Sequence, residues 1–134
     1  MAISGKLGLG GKSYNVIQAQ YEFSQSLDET NKPSSRTRGG TITFVMPATS
    51  DDDLTFYKWM FNKTEVKDGI FMFNVWVQNN QKKWKTLMFK NAFCVSLKDY
   101  FNNNDSKLMY TTVTISAESM TFGMDDTAEF TNEW

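Results

Sequence analysis

Polar and apolar residues alternate along most of this chain, with the period of two that marks a strand buried on one face. Lys6 to Leu9, the pair Gly10-Gly11 and Lys12 to Ser24 read as a β-hairpin, since a Gly-Gly turn supplies the positive φ needed at both central positions. In the second arm Ile17, Ala19, Tyr21 and Phe23 share one face, and Gln18, Gln20, Glu22 and Ser24 the other. Tyr14 and Val16 fall on the opposite parity, which predicts a bulge or a change of phase near Val16. Thr41 to Met46 is the next strand: Ile42, Phe44 and Met46 face one way, and Pro47 ends it.

The pattern is β again from Gly69. Ile70 to Gln78 is a strand with Phe71, Phe73, Val75 and Val77 on one face, and Asn79-Asn80-Gln81 is its turn. Lys83 to Lys90 answers it, with Lys85, Leu87 and Phe89 on one parity and Trp84, Thr86 and Met88 on the other. Asn91 to Phe101 continues with Phe93, Val95 and Leu97 on one side. Asn102 to Ser106 is a polar loop before the strand Lys107 to Ala117, where Met109, Val113 and Ile115 oppose Tyr110, Thr112, Thr114 and Ser116; Met120 to Met124 is a possible extension.

Two stretches break the alternation. Ser50 to Asn62 has helical spacing: Leu54, Tyr57 and Phe61 recur at i, i+3 and i+7, and Phe56, Trp59 and Met60 widen the apolar side. Ser50 and Asp53 have the spacing of a capping box, and Asp51, Asp52 and Asp53 sit where a helix dipole favours anions. Leu27 to Gly40 has no period at all. It is a long polar connection in which Lys32, Arg36 and Arg38 lie beside Asp28 and Glu29. Pro33 stiffens it, and Gly39-Gly40 lets the backbone turn back into a strand. Connections of this length are uncommon in small domains and usually functional or disordered, so it reads either as a docking arm or as a solvated hairpin tip.

Six to eight strands with mostly short links and one helix predict a mainly β fold. We expect a small antiparallel β-barrel with one short α-helix and a long protruding loop, in a single domain over residues 1–134. A chain of 134 residues, 40% hydrophobic and 15% aromatic, buries a real core without disulfides or metal. The single Cys94 forms no intrachain disulfide and lies among apolar neighbours, as a buried structural thiol does. The formal net charge of -1 lacks the basic excess usual in nucleic-acid modules. The absence of His removes Ser-His-Asp and Cys-His catalysis and every His-based metal site. Met1 to Gly11 has no signal-peptide core, and no apolar run is long enough for a membrane helix.

The chemical motifs are weak. Gly11-Lys12-Ser13 has Lys6 where a phosphate-binding loop needs Gly, and a strand follows it rather than a helix. Asp51, Asp52 and Asp53 converge poorly on one cation, because consecutive helical residues point apart. Trp84 among Lys82, Lys83 and Lys85 is the best place for a base to stack, and it also reads as a strand edge kept soluble by lysines. We expect no catalytic, cofactor-binding or metal-binding residues.

Three stretches together resemble the haemolysin-coregulated tube protein of type VI secretion systems, the Hcp or TssD family, in its shorter Bacteroidetes-type form. They are Lys12-Ser13-Tyr14-Asn15-Val16, then Pro33-Ser34-Ser35-Arg36-Thr37-Arg38-Gly39-Gly40 with Thr41-Ile42, and Thr131-Asn132-Glu133-Trp134. The helix with Phe56, Tyr57, Trp59 and Met60 falls where that family has one. The resemblance implies a β-barrel whose six copies form a ring with a wide lumen. The rings stack into the inner tube of a contractile injection machine, related to phage tail tubes. It implies the protein itself, effectors in the lumen, and the sheath, spike and baseplate proteins as partners, with neither nucleic acid nor direct membrane insertion. It implies no cofactor and no enzymatic activity. The tube would assemble in the bacterial cytoplasm and then be secreted, without a signal peptide, to the extracellular space or a target cell. The resemblance assigns ring contacts to Ser34, Ser35, Arg36, Thr37 and Arg38 of the loop and to Glu133 and Trp134 at the end. Residue types alone leave two alternatives open, a small-molecule-binding barrel and a single-stranded nucleic-acid-binding barrel.

Overall fold

The computed structural model describes residues 5–77, 81–102 and 109–132; at positions 76 and 77 only the backbone is described. Within them the chain forms eight strands and one helix: β1 (Gly5–Leu9), β2 (Lys12–Val16), β3 (Gln18–Tyr21), β4 (Thr41–Pro47), α1 (Thr55–Phe61), β5 (Lys67–Val77), β6 (Gln81–Tyr100), β7 (Tyr110–Phe122) and β8 (Ala128–Thr131). All the pairings are antiparallel, in the order β2-β1-β5-β6-β7-β4-β3, with β8 added to β7 beyond the end of β4.

The sheet curls into a half-barrel, and its two end strands meet in sequence at one residue. β2 stays with β1, while β3 pairs with β4 at the other end of the order. The change of phase expected near Val16 is this crossing. Ile17 stands between the two strands, half exposed, and donates its N–H to the Val45 carbonyl at 2.7 Å. Ile17 is therefore not on the inward face with Ala19, Tyr21 and Phe23, as alternation suggested.

The inward positions of the central strands form one core, in which Ile42, Phe44, Leu87, Phe89, Val113, Ile115 and Met120 are at most 1% exposed. Long β6 keeps its apolar residues inside by bulging twice. Lys90 and Asn91 together oppose Asp68, and Asn91 takes a φ of 52°, so the inward parity passes from Leu87 and Phe89 to Ala92 and Cys94. The register slips again between Cys94 and Ser96, which turns Val95 out to 49% exposure and brings Leu97 back against the core. The expected common face of Phe93, Val95 and Leu97 is broken by this second bulge.

The helix is shorter than its pattern. Residues 50–54 are turn and coil, and α1 begins at Thr55 behind Leu54, which makes no side-chain cap. The expected capping box does not form. The Asp53 carboxylate instead accepts from the N–H and Oγ1 of Thr55, at 3.1 and 2.6 Å, and is held by β2. From β2, Lys12 Nζ reaches it at 3.1 Å and Tyr14 OH at 2.7 Å. The buried face is Phe56 and Trp59, while Leu54 and Phe61, two of the three residues of the expected stripe, are exposed. Trp59 Nε1 donates to the carbonyls of Ala92 and Glu65 at 3.1 and 3.2 Å, Phe56 packs on Tyr14, and Tyr57 OH donates to Asp99. These contacts seat α1 on β6 and β2.

The turn expected at Asn79-Asn80-Gln81 lies outside the described residues except for Gln81, which opens β6. The loop Asn102 to Ser106 and the beginning of the strand expected from Lys107 are likewise outside them apart from Asn102. β7 runs on through Phe122, and β8, which the alternation did not announce, pairs with its second half.

Candidate assembly surface

The segment between β3 and β4 is an arm with a structure of its own. Ser24 and Arg38 exchange both backbone hydrogen bonds, at 3.0 and 2.7 Å, and the Ser34 N–H reaches the Ser26 carbonyl at 2.8 Å. Side chains add rungs: Ser35 Oγ accepts from the Ser26 N–H at 2.9 Å, and Gln25 Nε2 donates to Thr37 Oγ1 at 2.6 Å. The expected protruding loop is thus a narrow two-armed ladder. At its tip Asn31 takes a φ of 65°, and Asp28 Oδ1 accepts from Thr30 N, Thr30 Oγ1 and Lys32 N at 2.8, 2.7 and 3.0 Å. Those hydrogen bonds, led by the Thr30 hydroxyl, lower the Asp28 pKa.

The arm stands away from the core. Every residue from Ser24 to Ser34 is exposed, as are Arg36 and Arg38, while Ser35 and Thr37 are partly covered by their partners on the other strand of the ladder. The five arm residues singled out in the sequence therefore lie together on the returning strand. Glu133 and Trp134 lie outside the described residues.

The root of the arm is rigid for reasons that residue types did not reveal. Phe23, on the outgoing strand, packs between Phe122 and Phe130 at ring distances of 5.8 and 5.2 Å. The returning strand passes so close that a Cβ on Gly39 would lie 2.3 Å from the Phe23 ring. Gly40 has a φ of 97°, and a Cβ there would lie 2.4 Å from Asn132 Nδ2 and 2.7 Å from the Ala117 carbonyl. Only glycine meets both demands at this bend. Asn132 Nδ2 donates to the Gly39 and Ala117 carbonyls at 3.2 and 3.0 Å, and its own N–H bonds the Glu118 carbonyl at 2.7 Å.

Other candidate chemistry resolves into structure. Gly10 and Gly11 form the β1–β2 turn with φ of 57° and 82°, and Lys12 is bound to Asp53 and Thr55. The Cys94 thiol is pushed up to about 11 by burial, which suits a packing residue rather than a nucleophile. Among the described residues, no group of three or more His, Cys, Asp or Glu could hold a metal ion, and no helix is long and apolar enough to cross a membrane. The inward side chains of the central strands pack into one core, and between the edge strands a cleft lined by Val16, Ala19, Tyr21, Phe71 and Phe73 remains open.

The hemolysin coregulated protein Hcp (TssD) family matches the chain over residues 1–134. Hcp1 from Flavobacterium johnsoniae superposes with a TM-score of 0.78 at 31% identity, over 96% of this chain and 99% of that one. The Hcp1 protein of E. coli EAEC 042 gives 0.75 at 15% identity, over 97% and 99% of the two chains, and the secreted Hcp3 of Pseudomonas aeruginosa gives 0.68 at 8%, over 99% and 100%. These last two show the shared fold. No curated protein matches the chain. With a family match along the whole sequence and a relative 31% identical that it covers almost end to end, the chain belongs to the Hcp (TssD) family, the subunits that assemble into the tube of type VI secretion systems.

Proposed function

We propose that six copies of this single-domain chain close into a ring, and that the arm between β3 and β4 stacks one ring on the next. The observation that carries this reading is the arm itself, exposed from Ser24 to Ser34 yet internally hydrogen-bonded and fixed at its root. A pre-ordered projection loses little entropy on docking. Its mixed charges suit a contact that forms and releases as tubes assemble and are spent. A ring requires a heterologous contact that closes, and stacking requires a second that does not, so the two tasks fall on different surfaces. Ser34, Ser35, Arg36, Thr37 and Arg38 serve the second task. Glu133 and Trp134, from the family resemblance, belong at the ring contacts.

In this reading the role is structural rather than enzymatic, and the partners beyond the chain itself are effectors in the lumen and the sheath, spike and baseplate proteins. Gln18, Gln20, Thr41, Thr43, Thr112 and Thr114, with Val45 and Glu118 among them, give the outer faces of β3, β4 and β7 a largely polar surface, of the kind that can line a wet passage. The tube is built in the bacterial cytoplasm and leaves the cell as a secreted component. Electron microscopy and sedimentation of the purified protein test the proposal. The native chain gives rings that stack at high concentration, and Arg36→Asp with Arg38→Asp gives rings that do not. A strictly monomeric native protein overturns the ring, and unchanged stacks in the double variant overturn the role of the arm.

A further inference from the structure

We infer that the C-terminal strand aims the stacking arm, with Asn132 as a positioning residue that locks the arm's returning strand to the barrel. Both roots of the arm are held from one short segment. Phe130 of β8 packs on Phe23 of the outgoing strand at 5.2 Å, and two residues later Asn132 bonds the Gly39 carbonyl of the returning strand at 3.2 Å. The same side-chain amide bonds the Ala117 carbonyl of β7 at 3.0 Å, so its two donors tie the arm to the middle of the sheet. Beside it the Ala117 N–H bonds the Gly40 carbonyl at 2.7 Å.

Asn is the residue type this junction needs. Two carbonyl oxygens face one side chain, and only a group with two N–H bonds on one nitrogen satisfies both without adding charge. A short side chain is required as well, since the bend at Gly40 leaves room for no Cβ of its own. Together the two anchors fix the arm at its base, where a small rotation moves the tip furthest. An arm hinged at Gly39-Gly40 would sample many directions, and the next ring would have to order it on docking.

The inference rests on the arm being the stacking device, and the test separates the two. Three proteins are compared: the native chain, Asn132→Ala and Asn132→Asp. Amide hydrogen exchange at Ser24, Ser34 and Arg38 reports the order of the arm, thermal melting reports the barrel, and electron microscopy reports stacking. In Asn132→Ala the arm amides exchange about tenfold faster, while β4, β6 and β7 keep their protection. Rings form and stacks are lost. Asn132→Asp at neutral pH is at least as loose, because a carboxylate faces two carbonyl oxygens. Its arm regains protection as the pH falls towards about 4, where the protonated carboxyl again donates a hydrogen bond. Glu118 and Glu129 lie nearby in all three proteins, so the native chain across the same pH range is the control.

Unchanged arm exchange in both variants overturns the inference. So does a loss of protection spread evenly over the sheet with an equal fall in melting temperature, since Asn132 would then hold the barrel as a whole. So does an Asn132→Asp arm that stays loose in acid. If the arm loosens and recovers as described while stacks persist throughout, the latch stands and the stacking role of the arm falls.

Discussion

Asp53 shows how much a residue's role depends on what folds against it. Three consecutive carboxylates before a helical pattern read as N-terminal charge on a helix, and Asp51 and Asp52 do remain exposed in the turn. Asp53 is different, because β2 delivers Lys12 and Tyr14 to it across roughly forty positions of sequence. Burial on its own would raise its pKa. The hydrogen bonds from Thr55, Tyr14 and Lys12 outweigh burial and hold the carboxyl well below the usual range. A carboxyl depressed in the folded chain contributes stability that is complete above its ordinary value of 3.8 and is lost as the pH falls below it. Asp53→Asn should cost about 1–2 kcal/mol at neutral pH. The gap between the two proteins should narrow on acidification from about pH 4 to pH 2, and denaturant titrations at fixed pH steps would measure it. A constant gap would mean that the ionised form contributes nothing.

At the scale of the element, strand spacing was the dependable signal and helix ends were not. Ile42, Phe44 and Met46 lie inside as their alternation required, since a strand with one buried face has no other register. The helical stripe failed because α1 has only two turns and meets the sheet through Phe56 and Trp59, on a different face from Leu54 and Phe61. The position of β6 and β2 chose that face. α1 is too short to be stable alone, so its docking residues carry it. Trp59→Phe keeps most of the ring volume and removes the donor to the Ala92 and Glu65 carbonyls. It should lower stability by about 1–3 kcal/mol, read as a lower denaturant midpoint with an unchanged slope. A changed slope would instead mean that the unfolding transition itself had altered.

At the scale of the whole molecule, the barrel holds its polar arm away from the core and exposed to solvent. Contacts made by an exposed arm of mixed charge are screened by salt, whose Debye length falls from about 14 Å at 0.05 M to about 3 Å at 1 M. Raising the salt over this range should shorten stacked tubes and leave single rings intact, as seen by sedimentation and electron microscopy. Tubes of constant length across the range would point to an apolar stacking contact instead.

The sequence by itself determined the mainly β class, the single helix, the inward faces of the regular strands, the hairpin at Gly10-Gly11, the exposed arm and the family. Each of these is written in local spacing or in an ordered set of short motifs. Tertiary structure alone decided the crossing at Ile17, the two bulges of β6, the strand β8, the partners of Asp53 and the junction of Asn132 with Gly39 and Ala117. Asn132 and Gly39 are 93 positions apart, and no local pattern encodes a contact made only when a curled sheet brings its distant strands together. The Gly-Gly pair was visible as a place where the backbone could bend. The side chains that forbid a Cβ there became visible only in the folded chain.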